Sequence, residues 1–370
     1  MSNAKNLSNK NENLGHNTGI LQVDVSVIVP VKNGEEWIEE ALNSVLHQND
    51  LTKFTLEVSI YNDGSTDQTE SIAEKFRSKF LQARIGFKLS SATYSRGVGY
   101  AKNAAVLQSQ GKYLCFLDAD DIMMPERIIE QLTVARNNYP DSIFIGSQFQ
   151  RDPVNSTVRY SRWANQISAE QLYTQRFTSH GPTLVAPTWF FSRELFNNVG
   201  GFNADFPSGF PEDLDFFYRS LNLSTKVFRV EKPLVVYRYH KNCASFSVSE
   251  ETIWYMRIKE FEEEVLNYWT KFTIWNAGKQ GRKFYHSLSD TNKLKVETFC
   301  DVDRRKIMLG HYQYYDQYLR KNTCKIPIIS ITDAKPPVVV CVKIDMTNLE
   351  LEHSLQDLNW EEGKDFYFFS

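Results

Sequence analysis

The chain has 370 residues, a net charge of −3, 42% hydrophobic and 24% charged residues. That composition excludes a wholly disordered polypeptide and a uniformly cationic nucleic-acid binder, and the length suits two or three domains. The five cysteines, Cys115, Cys243, Cys300, Cys324 and Cys341, form no CxxC pair, which argues against a disulfide framework or zinc ribbon and for a reducing compartment.

Residues 1–22 are rich in Asn, Ser, Lys and Gly and are expected to form a disordered tail. They hold no apolar segment of a secretory peptide, and the sequence holds no apolar run of about 18 residues, so a cytoplasmic protein without a membrane partner is expected. Order is predicted from Val23. Residues 25–30 are a short apolar run closed by Pro30, which suits a buried strand. Trp37, Ile38, Ala41, Leu42, Val45 and Leu46 then recur at helical spacing, with Asn33 placed to cap the helix. Residues 56–61 read as a second strand, and Ser65-Thr66-Asp67-Gln68 as a capping box opening a helix through Ile72, Ala73, Phe76 and Phe80. A strand over 85–89, a helix through Ala101, Ala104 and Ala105, a buried strand over 113–117 and a helix starting at Pro125 continue the alternation.

Such alternation predicts an α/β fold whose sheet is mainly parallel and covered on both faces. The rhythm is lost after about residue 145. Residues 251–269 read as a helix with Trp254, Ile258, Phe261 and Val265 on one stripe. Strands at 272–275, 296–299, 326–331 and 338–344 restart the pattern. The expected organisation is a domain over 23–250, a connecting helix over 251–270 and a smaller Rossmann-like α/β domain over 271–370.

Four acidic or imidazole-bearing segments could carry chemistry. Asp118-Ala119-Asp120-Asp121 directly follows the buried strand, where ligands of open α/β sheets bind. Three carboxylates there repel one another unless a cation joins them, and a hard divalent ion with a diphosphate is the natural guest. The bland alternative is a solvated turn ahead of the Pro125 helix. Asp63, in Asn62-Asp63-Gly64-Ser65, ends a strand at the same rim and can accept a base N–H; an Asp-Gly turn is its structural alternative. Glu212-Asp213-Leu214-Asp215 suits a helix start through the dipole, or a carboxylate that takes a proton from a hydroxyl. His240, closing Tyr237-Arg238-Tyr239-His240, is either a metal ligand or a packed ring.

Taken in order, Val25 to Pro30 with Asn33, the Asn62–Asp67 segment, Gly99-Tyr100-Ala101-Lys102-Asn103, Phe116 to Asp121, Gly200-Gly201-Phe202, Glu212 to Asp215 and Tyr237 to His240 resemble the family 2 glycosyltransferases over residues 23–245. The resemblance implies a GT-A fold, a Rossmann-like mixed sheet that binds a nucleotide-sugar. It implies donor contacts from Pro30, Val31, Asn33, Asp63, Lys102, Asp118, Ala119, Asp120, Trp189 and Glu212, with Pro30 and Asp63 at the base. It implies a divalent metal, Mn²⁺ or Mg²⁺, on Asp120 and His240. Asp213 becomes the base that activates the acceptor, with inversion at the anomeric carbon. Lys32 stands where an aromatic is frequent, and Lys102 where Arg is usual, which turns a bidentate contact into a point charge.

In the carboxy-terminal part, Asn276-Ala277-Gly278-Lys279-Gln280-Gly281-Arg282 follows a strand, and Asp301 lies 20 residues beyond Gly281. This resembles a dinucleotide fingerprint with its first Gly replaced by Asn276. A nucleotide site, a packing remnant and an RNA surface all remain open. Residues 271–335 carry a net charge of +7, an electrostatic footprint suited to a polyanion. Lys279, Arg282, Arg304, Arg305 and Lys306 are the expected contacts of such a polyanion. Residues 97–103, Arg151-Asp152-Pro153, Pro187-Thr188-Trp189-Phe190, residues 272–282 and Phe299-Cys300-Asp301-Val302-Asp303 are together similar to a branch of the family, the queuosine-tRNA galactosyltransferases. That similarity implies UDP-galactose as donor and tRNA carrying queuosine as acceptor, and so makes tRNA the polyanion. An N-acetylglucosaminyltransferase acting on a protein or glycan, and an inactive RNA- or dinucleotide-binding module, are the other readings.

Overall fold

The computed structural model describes residues 22–138, 143–178, 181–316, 320–322, 325–344, 346–347 and 349–370. Two sheets organise them. The first holds eight strands: β1 Val25–Val31, β2 Leu56–Asn62, β3 Gly86–Ser91, β4 Tyr113–Phe116, β5 Ile122–Met123, β6 Ile143–Asp152, β7 Phe190–Ser192 and β8 Lys226–Arg238. Their spatial order is β3-β2-β1-β4-β7-β6-β8-β5. Every residue of β1 is buried, because β2 and β4 flank it in parallel and both faces are covered. Val27, Val29 and Cys115 face one core, while Ile28, Leu114 and Phe116 face the other, as the two-residue period of a strand dictates.

The winding runs from β1 to β3 on one side and to β4 on the other. A crevice therefore opens at the carboxyl ends of β1 and β4. The sheet is parallel from β3 to β4 and again between β6 and β8, so parallel pairs outnumber antiparallel ones four to three. β7 pairs antiparallel with both β4 and β6, and β5 antiparallel with β8. The helices Val158–Gln166 and Gln171–Thr174 lie between β6 and β7, and β7 follows directly on the 3-10 turn Ala186–Thr188. Register shifts near Gln148 let β8 bend along β6 and return to the rim with Tyr237 and Arg238.

Two local expectations are corrected. Asn33 does not cap the first helix, which begins at Ile38 without a side-chain cap. Asn33 is instead in the left-handed region, its Oδ1 accepting from Thr66 N at 2.9 Å and its N–H donating to Ser65 Oγ at 2.8 Å. The Ser65–Gln68 box does not form either. Asp67 Oδ1 accepts from Thr69 N at 3.0 Å at the start of the helix Thr69–Gln82, since Ser65 is committed to Asn33.

The second sheet is built from β9 Phe272–Trp275, β10 Val296–Asp301, β11 His311–Tyr312, β14 Ile326–Ser330, β15 Val338–Val340 and β16 Phe366–Phe368, with β12 Tyr315–Asp316 and β13 Lys321–Asn322 forming a separate pair. The order β11-β14-β10-β9-β15-β16 is parallel apart from the edge strand β11. This is a smaller α/β domain with its own switch point between β9 and β15. The helix Glu250–Glu264 packs Trp254, Ile258 and Phe261 into this second core, where Phe177 of the first domain joins them. Glu362 accepts from Thr174 Oγ1 at 2.8 Å, and Arg159 donates to the Ile344 carbonyl at 2.6 Å. Among the described residues, no helix is long and apolar enough to cross a membrane.

Candidate active site

A cavity of about 1150 Å³ opens at the first crevice. Pro30, Val31, Asn33, Asp63, Lys102, Asp118, Ala119, Asp120, Glu212, Asp213 and His240 all line it. The second domain closes its far side with Gln280, Lys283 and Lys343. Four segments scattered over the sequence thus meet at one rim.

The aspartate turn follows β4 because Leu117 N–H still donates to the Ile28 carbonyl at 3.0 Å, after which the chain turns and Asp121 N–H reaches the Asp118 carbonyl. Asp121 is fully buried; its Oδ1 accepts from Arg238 N at 2.9 Å, while Oδ2 has no partner. Oxygens of Asp118, Asp120 and Asp121 lie within 4.8 Å of one another. Burial, with Lys102 opposing and the Asp120 and Glu212 charges adding, pushes the Asp118 carboxyl up to about 6. Burial and the two neighbouring carboxylates push Asp121 well above its ordinary range. A crowded set of carboxylates with one orphaned oxygen fits a divalent cation.

His240 arrives from the end of β8. Its Nε2 lies 2.9 Å from Asp120 Oδ2. Trp37 stacks on the imidazole, ring centroids 5.2 Å apart, and the Arg238 guanidinium covers the other ring partner at 4.8 Å from the Trp37 centroid. Arg238 also donates to the Asp120 carbonyl at 3.1 Å and pairs with Glu40. The histidine and the aspartate turn are therefore held by one side chain.

Asp63 is 3% exposed. Its Oδ2 accepts from Ser95 Oγ at 2.7 Å and Gly97 N at 2.9 Å, and Oδ1 from Arg96 N at 2.9 Å. The carboxylate thus shapes the loop ahead of the helix Val98–Gln108 as well as facing the cavity. Gly97 and Gly99 let the 203–207 segment press onto that helix: a Cβ on Gly99 would sit 2.2 Å from the Asn203 carbonyl oxygen. This close approach brings Lys102 to Glu212, Nζ to Oε1 at 2.8 Å, with both side chains nearly buried. Asp213 follows at the start of the helix Glu212–Asn222. Burial first, then the Glu212 charge, with Lys102 opposing, raises Asp213 to about 6. Burial works against the Lys102 charge, but Glu212, Asp118 and Asp213 more than offset it and hold the ammonium protonated above its ordinary range.

One expected contact is corrected, and two of the expected cations are found engaged within the second domain. Trp189 does not line the cavity: it is 1% exposed, its indole N–H donates to the Leu184 carbonyl at 2.7 Å, and it packs in an aromatic core with Phe144, Phe202 and Phe217. Lys306 is not a free cation, since its Nζ donates to Asp301 Oδ2 at 2.8 Å. Arg282 donates to the Ala277 carbonyl at 2.9 Å and lies over Tyr312. Lys279, Arg304 and Arg305 are exposed. The loop at 276–281 has closed on itself. Ala277 N–H is taken by Asp301, Gly278 N–H by Asn276 Oδ1, and Asn276 Nδ2 spans the β9–β15 switch point to the Cys341 carbonyl at 2.9 Å. The acid and the amides that a dinucleotide would need are spent inside the loop.

Comparison with known proteins follows the same geography. Residues 26–200 match the profile described as Glycosyl transferase family 2. That match takes in just under half of the chain. An uncharacterised glycosyltransferase of Rickettsia conorii is 29% identical over 259 residues, covering 65% of this chain and 39% of that protein. The poly(ribitol-phosphate) β-N-acetylglucosaminyltransferase TarS of Staphylococcus aureus is 37% identical over 160 residues, covering 40% of this chain and 27% of TarS. The chain thus spans well under half the length of these relatives. The structure of S. aureus TarS 1–349 in complex with UDP-GlcNAc superposes with a TM-score of 0.51 at 21% identity, over 73% of this chain and 71% of that one, which shows a shared GT-A-like fold.

Trp37 and Cys243 are among the cavity residues that escape the reading by sequence. Trp37 falls on the apolar stripe of the first helix and reads as core. Cys243 forms no CxxC pair, yet His240-Lys241-Asn242-Cys243 has the His-x-x-Cys spacing of a ligand turn.

Proposed function

We propose that this protein is an inverting, cation-dependent glycosyltransferase that uses UDP-galactose and transfers galactose to queuosine in tRNA. The observation that carries the transferase reading is the meeting of Asp63, Asp120 and Asp213 with His240 in one cavity at a sheet switch point. Asp120 and His240 would hold Mn²⁺ or Mg²⁺, whose contribution when bound is to neutralise charge on the departing diphosphate. Pro30, Val31 and Asp63 flank the nucleoside. Asp213 is mostly ionised at neutral pH because its carboxyl titrates near 6, and it takes the proton of the acceptor hydroxyl as that oxygen bonds to the anomeric carbon. The sugar–phosphate bond breaks in the same displacement and UDP leaves with its electrons.

The galactose and queuosine parts are supported by the similarity of residues 97–103, 151–153, 187–190, 272–282 and 299–303 to that branch, and by the exposed cations Lys279, Arg304 and Arg305. The name of TarS favours a second donor, UDP-N-acetylglucosamine. A donor and acceptor panel tests both: UDP-galactose and UDP-N-acetylglucosamine, each with queuosine-containing tRNA and with tRNA lacking queuosine. Galactose transfer that requires queuosine is expected; transfer only of N-acetylglucosamine, or only to another acceptor, would replace the specificity and keep the reaction class.

A further inference from the structure

Four of the five cysteines lie among the described residues, and three of these, Cys115, Cys300 and Cys341, are buried in the cores. Cys243 alone of the four lines the cavity. It closes a tight turn in which its N–H donates to the His240 carbonyl at 3.1 Å, and its sulfur accepts from His240 N at 3.3 Å. Residues three apart on such a turn present both side chains to the same side. Ligand atoms of Asp120, His240 and Cys243 accordingly lie within 4.8 Å of one another. The site is built rather than incidental: Trp37 stacks on His240, and Arg238 covers Trp37 while holding the Asp120 carbonyl.

We propose that Cys243 is a third protein ligand of the cation at Asp120 and His240, and that its sulfur makes this site prefer thiophilic divalent ions such as Zn²⁺ and Co²⁺ over Mg²⁺. This rests on the reading of Asp120 and His240 as cation ligands. The physical reason is ligand softness. Carboxylates alone suit Mg²⁺, which holds its water tightly, whereas imidazole and thiolate favour later transition ions. On binding, the S–H bond gives way to a sulfur–metal bond and the proton passes to solvent.

The test is a Co²⁺ titration of the metal-free full-length protein, of Cys243→Ser and of Asp120→Asn, each checked for folding by circular dichroism. Two signals are read: the sulfur-to-cobalt charge-transfer absorption, and quenching of the fluorescence that Trp37→Phe removes. Wild type is expected to show both. Cys243→Ser is expected to keep the quench, lose the charge-transfer band and bind Zn²⁺ more weakly by about tenfold or more, loss of a direct ligand being no milder than loss of an outer partner. Its Mg²⁺ affinity is expected to be unchanged. A wild-type protein that quenches without the band, or equal Zn²⁺ affinity in Cys243→Ser, overturns the sulfur ligand while leaving Asp120 and His240 in place. A quench that Asp120→Asn does not weaken overturns the cation site itself.

Discussion

Lys102 Nζ donates to Glu212 Oε1 at 2.8 Å inside the protein, and the residue after Glu212 is Asp213. The pair is a buried ion pair whose partners come from two helices 110 residues apart. Its position means that the charge state beside Asp213 is set by Lys102. Lys102→Met leaves Glu212 buried and unpaired, and should destabilise the fold by about 3–5 kcal/mol. It should also raise the Asp213 carboxyl further, because an opposing positive charge is removed. Urea unfolding and the pH–rate profile check the two effects, and Lys102→Arg should restore most of both.

The Asp213 carboxyl, raised to about 6 by burial and by Glu212, fixes the direction of the pH dependence. A base must be ionised, so transfer should fall as pH drops through about 6 and level off above it. The limb should move upward in Lys102→Met.

Asp63 accepts from Ser95, Arg96 and Gly97. Asp63→Ala should release that loop and cost UDP binding about 1.5–3 kcal/mol, the range for hydrogen bonds to a charged group. Isothermal titration with UDP measures it. An unchanged affinity would separate Asp63 from the nucleoside.

Glu260 sits at the contact between the domains, 6% exposed and 3.8 Å from Arg176. Burial raises its carboxyl from 4.5 to about 7, with Arg176 opposing. An unfolded Glu ionises above 4.5 while the folded one stays protonated, so the cost grows as pH rises to about 7 and is complete beyond it. Glu260→Gln should therefore be more stable than wild type by about 1–3 kcal/mol at pH ~8 and equal to it at pH ~4. Thermal unfolding at the two pH values gives the answer.

Reversing the charge of Lys279, Arg304 and Arg305 together should weaken tRNA binding. The slope of log affinity against log salt should become shallower by about 0.7–0.9 for each lost phosphate contact. An unchanged slope would place the tRNA elsewhere.

The strands at the first crevice were readable because β1 and β4 are buried on both faces and so are almost continuously apolar, with Ser26 the polar exception paired to Glu57. The aspartate turn was readable because it follows such a strand at once. Trp189 was misread, since an aromatic beside a short strand looks the same in sequence whether it faces a cavity or a core of phenylalanines. Gly278, Gly281 and Asp301 kept the spacing of a nucleotide loop, yet Asn276 in the left-handed region turned the loop onto itself. Those outcomes depend on which partner lies nearest in three dimensions, as with Lys102 and Glu212, and spacing along the chain does not encode it. The His-x-x-Cys spacing of His240 and Cys243 is legible in the sequence, but its meaning as a turn depends on Asp120, 120 residues away, meeting it.

The most direct measurement of the central claim compares Asp213→Asn with wild type in two assays: UDP affinity in the presence of divalent cation, and single-turnover transfer from a UDP-sugar. Three acidic segments around one nucleotide-sugar predict that Asp213→Asn binds UDP as wild type does and transfers about 10²–10⁴ times more slowly. Undiminished transfer in that variant would contradict the assignment.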